Sequence, residues 1–392
     1  MKTSILLFTF LTIHNCSLCA QSLFESGNLF NKVEGIISNL PGPDNDDYVV
    51  PTNVELLDWS PLLQDLWEMD LSHATMRASQ LNYNLIEFTD TSSNSIYYIL
   101  QSKELNGNFW GTYVFNPMSC QTNLVIESPH PVKDRNTGKQ GIHIFQKVSA
   151  SFFLLAGTNR CNSSAFTSCS GTTKVCSGSS EDYRITDMAH VENSIFQKTH
   201  EFLFDLLPDP FMIQLHGFSW SSDSGLPNLI MSNGISIPPA GNDYLNILGQ
   251  AVKIVDSDVS YGVEHITPSL PLAGTTNTQG RYCNGSNNPC NSFGIFNSGR
   301  FFHLEQSYTY LRQYPSDWDK LAEAIDMVFR NVDSDKNLST GYYRTKDTLT
   351  LSSQISAHDS LILKGGKSII LNPGFGIPTG GKLEISIDTC KS

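Results

Sequence analysis

Four short apolar runs, each ending in polar residues, constrain this chain more than any other feature. Leu124-Val125-Ile126 runs into Glu127-Ser128-Pro129-His130, and Phe152-Phe153-Leu154-Leu155-Ala156 runs into Gly157-Thr158-Asn159-Arg160. Phe211-Met212-Ile213 leads to Gln214-Leu215-His216-Gly217, and Phe301-Phe302 to His303-Leu304-Glu305. Continuous apolar runs of this length, bounded by turn residues, read as buried strands of an α/β sheet. In open α/β sheets, ligands bind just outside the carboxyl ends of the strands. Polar side chains gathered at four such ends therefore mark a candidate site. Two histidines, several carboxylates and an arginine are what metal-assisted hydrolysis requires.

The remaining pattern supports the same fold class. Helical spacing covers 138–150, 193–207, 243–254 and 315–330; in the last, Trp318, Leu321, Ala322, Ile325 and Val328 share a face behind Ser316 as N-cap. Residues 21 to about 75 hold helical stretches broken by Pro41-Gly42-Pro43 and an acidic Asp44 to Asp47. Strand and hairpin patterning follows, with Tyr97 to Leu100 and Trp110 to Phe115 on either side of an Asn106-Gly107 turn. Strands alternating with helices over 120–330 predict an α/β fold with a mostly parallel or mixed central sheet and covering helices. Asn331 to Thr340 is polar, and 331–344 reads as a linker. Beyond it, Leu349 to Leu351, Ser360 to Leu363, Ser368 to Leu371 and Lys382 to Ile387 are short strands between glycines, a small all-β module of two or three rungs over 345–392. Its one histidine, His358, rules it out as the active domain.

The bulk properties bound the setting. Met1-Lys2-Thr3-Ser4 followed by the apolar Ile5 to Ile13 and Leu18-Cys19-Ala20 reads as a signal peptide over 1–20, so the chain is expected to be secreted or held at the cell surface. No later apolar stretch approaches the roughly 20 residues of a membrane span. A formal charge of −13 argues against nonspecific nucleic-acid binding, which depends on Lys and Arg neutralising phosphates. Beyond Cys16 and Cys19 stand Cys120, Cys161, Cys169, Cys176, Cys283, Cys290 and Cys390, which in an exported chain favour disulfides; Cys161, Cys169 and Cys176 in one Ser/Thr/Gly-rich loop, and Cys283 and Cys290 around another, read as local loop staples. The odd number leaves at least one thiol free or paired externally. The absence of a C-x2-C pair there argues against a zinc–cysteine site.

Within the candidate site, His130 and His216 are the first two metal ligands, because neutral imidazole binds zinc well near pH 7. Asp134 is favoured as the third ligand and Glu127 is the alternative; whichever is not a ligand would orient an imidazole. Glu305 is the candidate general base, its pKa raised by an apolar strand, and alternation puts it on one face with His303. Arg160 is placed to bind a substrate carboxylate or an oxyanion. Asp187 and His190, ahead of the 193–207 helix, are candidates for substrate contact or for orienting the residues that bind the ion. His143 and His200 fall inside helical patterns and read as structural.

Taken in order, Ser128-Pro129-His130 with Asp134, Asn159-Arg160, Leu215-His216-Gly217 and Leu304-Glu305 resemble zinc amidohydrolases and carboxypeptidase-like enzymes, among them N-formylglutamate amidohydrolases, succinylglutamate desuccinylases and N-acetylmuramoyl-L-alanine amidases. The resemblance spans roughly 120 to 330. It implies zinc on the two histidines and a carboxylate, the late glutamate as base, and Asn159 and Arg160 on a substrate carboxylate. The chain departs from the carboxypeptidase H-x-x-E, reading His130-Pro131-Val132-Lys133-Asp134, and lacks the H-G-G of the cell-wall amidases. Ser368 to Phe375 and Gly380 to Ile385 resemble repeats near the C-termini of exported Bacteroidetes proteins, which implies a role in surface attachment. The expectation is a zinc-dependent amide hydrolase domain over 21–330 acting on a peptide, N-acyl amino acid or cell-wall peptide. The alternative is a non-catalytic surface protein retaining the fold; a serine esterase finds no G-x-S-x-G.

Overall fold

The computed structural model describes residues 22–103, 107–219, 225–334, 341–352, 354 and 360–388. The leader expected over 1–20, Asn106 of the expected turn, residues 335–340 of the expected linker, His358 and Cys390 lie outside them. The elements in chain order are β1 (Leu23–Gly27), α1 (Leu29–Ser38), α2 (Asn53–Trp67), α3 (Leu71–Gln80), β2 (Tyr83–Asp90), β3 (Ser95–Ser102), β4 (Thr112–Phe115), β5 (Gln121–Ser128) and α4 (Thr137–Val148). Then come β6 (Ala150–Leu155), β7 (Thr172–Thr173), β8 (Glu181–Asp182), α5 (Ile195–Leu206), β9 (Phe211–Phe218), β10 (Leu229–Ser232), α6 (Tyr244–Val255), β11 (Tyr261–Val263), α7 (Thr278–Cys283), β12 (Phe301–Ser307) and α8 (Pro315–Phe329). The chain continues through β13 (Val332–Ser334), β14 (Gly341–Thr345), β15 (Thr348–Leu351), β16 (Ser360–Gly365), β17 (Ser368–Leu371) and β18 (Lys382–Ile387).

Ten strands form one mixed sheet in the order β1-β2-β3-β4-β6-β5-β9-β12-β10-β11. The four capped apolar runs are its centre: β6, β5, β9 and β12 lie side by side and parallel. Their carboxyl ends therefore share one edge. Antiparallel pairings flank this quartet, at β4–β6 on one side and β10–β12 on the other.

Both faces of the sheet are covered, which is why the central strands carry apolar side chains on both faces rather than one. Leu124, Ile126, Phe211, Ile213, Phe302 and Leu304 pack on one face in the cluster that includes residues of α1, α4, α6 and α8. Val125, Phe152, Met212 and Phe301 pack on the other in the cluster that includes residues of α2, α3 and α5. On this second face Met212, Gln214 and His216 follow one another along β9, as do Phe301, His303 and Glu305 along β12. Period-2 alternation thus carries each strand from core to polar edge on a single face.

The C-terminal strands form two parallel three-stranded sheets, β13-β15-β17 and β14-β16-β18, so each rung supplies one strand to each sheet. The stretch expected as a linker over 331–344 instead contains β13 and most of β14, whose polar composition hid their pairing. Tyr343 and Leu349, Leu351, Leu361 and Leu363 join the same apolar cluster as Trp59 and Trp67, and the Trp67 and Tyr343 rings meet edge-on at 5.6 Å. The module is therefore packed onto the α/β domain.

Two local expectations change. Ser316 does not cap α8: Pro315 takes the first helical turn, where its fixed φ suits the helix, and Tyr314 N donates to Asp317 Oδ2 at 2.9 Å. The cysteines are not all local staples. Cys161–Cys176 spans 15 residues, whereas Cys169–Cys290 spans 121 and ties the loop after β6 to the one after α7. Cys283 is buried outside any disulfide. Among the described residues no helix is long and apolar enough to cross a membrane.

Candidate active site

The carboxyl edge of the parallel quartet lines a cavity of about 440 Å³ whose walls include His130, Asp134, Arg160, His216, His303 and Glu305. They arrive on four segments: the turn after β5, the loop after β6, the end of β9 and the end of β12. His130 and Asp134 lie on the turn between β5 and α4, where Asp134 N donates to His130 O at 3.1 Å. That bond closes a single helical turn, so the i, i+4 spacing puts both side chains on one side of it. Thr137 Oγ1 donates to the His130 and Asp134 carbonyls at 3.2 and 2.8 Å, fixing the turn against the start of α4. Two glycines keep the wall thin. A Cβ on Gly217 would lie 2.0 Å from Arg312 Cζ, and one on Gly274 (φ +63°) would press on the His303 ring. Arg312 is buried and donates to the carbonyls of Gln306 and Phe218 at 3.2 and 2.9 Å, joining the ends of β9 and β12.

Asp134 Oδ2 lies 3.2 Å from His130 Nδ1 and 3.4 Å from His216 Nδ1. A tetrahedral site with ligand bonds near 2.0 Å has ligand–ligand edges of about 3.3 Å, so these atoms fit a small cation between them. The far side of each ring is held. His130 Nε2 lies 2.6 Å from Asp187 Oδ1, and His216 Nε2 lies 2.8 Å from Gln214 Oε1. Both rings are thereby set with Nδ1 turned toward Asp134. His216, His303 and Glu305 form a second group of donors within 4.8 Å of one another, sharing His216 with the first.

The electrostatics follow from burial among opposed charges. Burial and Arg160 resist charging His130, but Asp187 and Asp134 outweigh them and raise its pKa. The same carboxylates favour a metal cation at Nδ1. Burial works against ionised Asp134, yet His130, His216 and Arg160 hold its pKa well below the usual range. Burial lowers His216 to about 4 and leaves it neutral near pH 7, the form that offers a lone pair. Glu305 is pushed up to about 8, first by burial and then by the charge of Asp134. A carboxylate so desolvated is a stronger base than one in water.

The structure sorts the residues expected from sequence. His130, Asp134, His216, Glu305 and Arg160 come together. Glu127, the alternative ligand, does not: alternation puts it with Val125 facing α5, where it accepts from His200 Nδ1 at 2.7 Å and Gln214 Nε2 at 3.0 Å. Asp187 is engaged by His130 and by Arg160 through Nε and Nη2, so its carboxylate holds other site residues in place. Asn159 Oδ1 accepts from Cys161 N at 2.9 Å and stabilises its own loop. His190 lines the cavity, stacked on Tyr183 at 3.6 Å and bound through Nδ1 to Thr276 O. His143 pairs with Asp319 on the surface of α4. Sequence reasoning passed over His303 and Gln214 as functional residues, although the same alternation along β9 and β12 that selected His216 and Glu305 includes both.

No protein-family model matches the chain, and no curated protein matches it in sequence. Its fold has likenesses among solved structures. One is a bacteriophage poly-gamma-glutamate hydrolase (10% identity, TM-score 0.31, covering 55% of this chain and 87% of that one). Another is N-formylglutamate amidohydrolase from Ralstonia eutropha JMP134 (9%, TM-score 0.33, 54% and 93%). A third is a metallo-carboxypeptidase from Pseudomonas aeruginosa (9%, TM-score 0.32, 65% and 68%).

Proposed function

We propose that this chain is an exported, zinc-dependent hydrolase that cleaves an amide bond in a peptide, an N-acyl amino acid or a cell-wall peptide. One observation carries the reading: two imidazole Nδ1 atoms converge on Asp134 Oδ2 in a cavity that also holds a desolvated glutamate. His130, Asp134 and His216 would hold the ion. When bound, zinc would polarise the scissile carbonyl and acidify the attacking water.

The chain's own groups do the rest. Glu305 accepts the proton of the attacking water on its carboxylate and passes it to the leaving amine. Arg160, its guanidinium fixed by Asp187 and its Nη1 3.4 Å from His130 Nδ1, places positive charge where an oxyanion or a substrate carboxylate would sit. Lys133 adds a second cation at the cavity wall, and Thr172 and Thr173 of β7 also line it. Cys161–Cys176 brackets that strand, and with Cys169–Cys290 supports an oxidising, exported setting.

Full-length protein loaded with zinc should hydrolyse members of a panel of N-acyl amino acids, short peptides and peptidoglycan stem peptides. Prolonged dialysis against 1,10-phenanthroline should remove the activity, and stoichiometric zinc should restore it. Hydrolysis untouched by metal removal, or none across the panel in the loaded protein, would contradict the proposal.

A further inference from the structure

Behind His216 runs a fully buried polar chain that the proposed chemistry does not use. His216 Nε2 meets Gln214 Oε1 at 2.8 Å, and Gln214 Nε2 meets Glu127 Oε2 at 3.0 Å. Glu127 Oε1 accepts from His200 Nδ1 at 2.7 Å, and His200 Nε2 lies 3.1 Å from Cys283 Sγ. Glu127, His200 and Gln214 have no exposed surface, and Cys283 and His216 almost none. Burying a carboxylate and an imidazole this deeply is costly unless every group is satisfied.

The chain has a direction. Glu127 Oε2 accepts from Gln214 Nε2, so the amide NH₂ of Gln214 faces the carboxyl group. Gln279 Oε1, 3.2 Å from the same nitrogen, imposes the same choice, since its own Nε2 donates to Met188 O and Gln197 Oε1. Asn277 Nδ2 donates to Gln214 Oε1, with Asn277 Oδ1 already taken by Gly280 N. Gln214 therefore turns its oxygen, not its NH₂, to His216. A neutral imidazole carries one ring proton, and Asp134, 3.4 Å from Nδ1, competes for it. Were the proton on Nδ1, no lone pair would face the ion.

We infer that Gln214, oriented by Glu127, is a positioning residue that keeps the ring proton of His216 on Nε2 and its Nδ1 lone pair turned to the metal site. Glu127 acts on the site through Gln214 and does not touch it. The inference rests on the metal-site reading only for its consequence in affinity; the tautomer itself is a property of the metal-free protein.

Long-range ¹H–¹⁵N spectra of the histidine rings in the full chain, metal-free near pH 7, test it, beside zinc affinity by competition with a chromophoric chelator. His216 should carry Nε2–H in the wild type. Gln214→Met should move the proton to Nδ1 and weaken zinc binding by about 10–100-fold, and Glu127→Gln should shift both in the same direction. A wild-type His216 protonated on Nδ1 would overturn the inference, whether or not the variants fold. So would a folded Gln214→Met that keeps Nε2–H and wild-type zinc affinity. If the wild type takes up no zinc, the metal-site reading fails while the tautomer spectra still decide this one.

Discussion

Glu305→Gln should lower turnover by about 10²–10⁴-fold, the usual contribution of a positioned general base, while zinc content and folding stay at wild-type values. The substitution keeps the shape of the side chain and removes its basicity. Glu305 sits on β12 with Phe301 and His303 on the same face, and its backbone pairs in register opposite His216 of β9. The glutamine therefore stays in the cavity, and folding should not suffer, because a neutral side chain is easier to bury than the carboxylate whose pKa burial and Asp134 push up to about 8. Kinetics on the best substrate, with metal analysis on the same sample, check this. Retention of more than about a tenth of wild-type turnover would remove Glu305 as the base.

Asp187→Ala should destabilise the protein by about 3–5 kcal/mol, the cost of leaving one partner of a buried ion pair uncompensated. Asp187 and Arg160 side chains are 2% and 9% exposed, so solvent does not screen the loss. Two groups are stranded at once: the Arg160 guanidinium, bonded to Asp187 through two nitrogens, and His130 Nε2. The effect should show as a lowered urea midpoint with an unchanged m-value, together with weaker zinc binding as the His130 ring loses its anchor. A loss below about 1 kcal/mol would mean that the pair is replaceable by water.

Much of this was legible in the sequence because central parallel strands leave an unusually direct record. Their apolar runs mark the buried length, and the first polar residues mark the shared carboxyl edge, so His130, Arg160, His216 and Glu305 could be brought together without knowing the strand order. The same local logic explains what was missed. Leu23 to Gly27, which becomes the edge strand β1, is too short and polar to stand out, with Leu23 and Phe24 exposed. The choice between Asp134 and Glu127 turned on which face of β5 looks at α5, which periodicity along one strand does not reveal. Asp187 was selected for its position before a helix, but its partners lie 27 and 57 residues away. The Cys169–Cys290 pairing likewise depends on loops meeting at the end of the sheet, not on spacing. Gln214 carries no titratable group and so drew no notice, though the carboxylate behind it gives its amide a fixed sense.

Zinc content of the purified full chain, measured beside His130→Ala and His216→Ala variants that remain folded, tests the central claim most directly. The wild-type chain should hold about one zinc, as three protein ligands with an open position would, and both variants should lose it. A wild type that takes up no zinc when offered it, or variants that keep the full amount, would contradict the site.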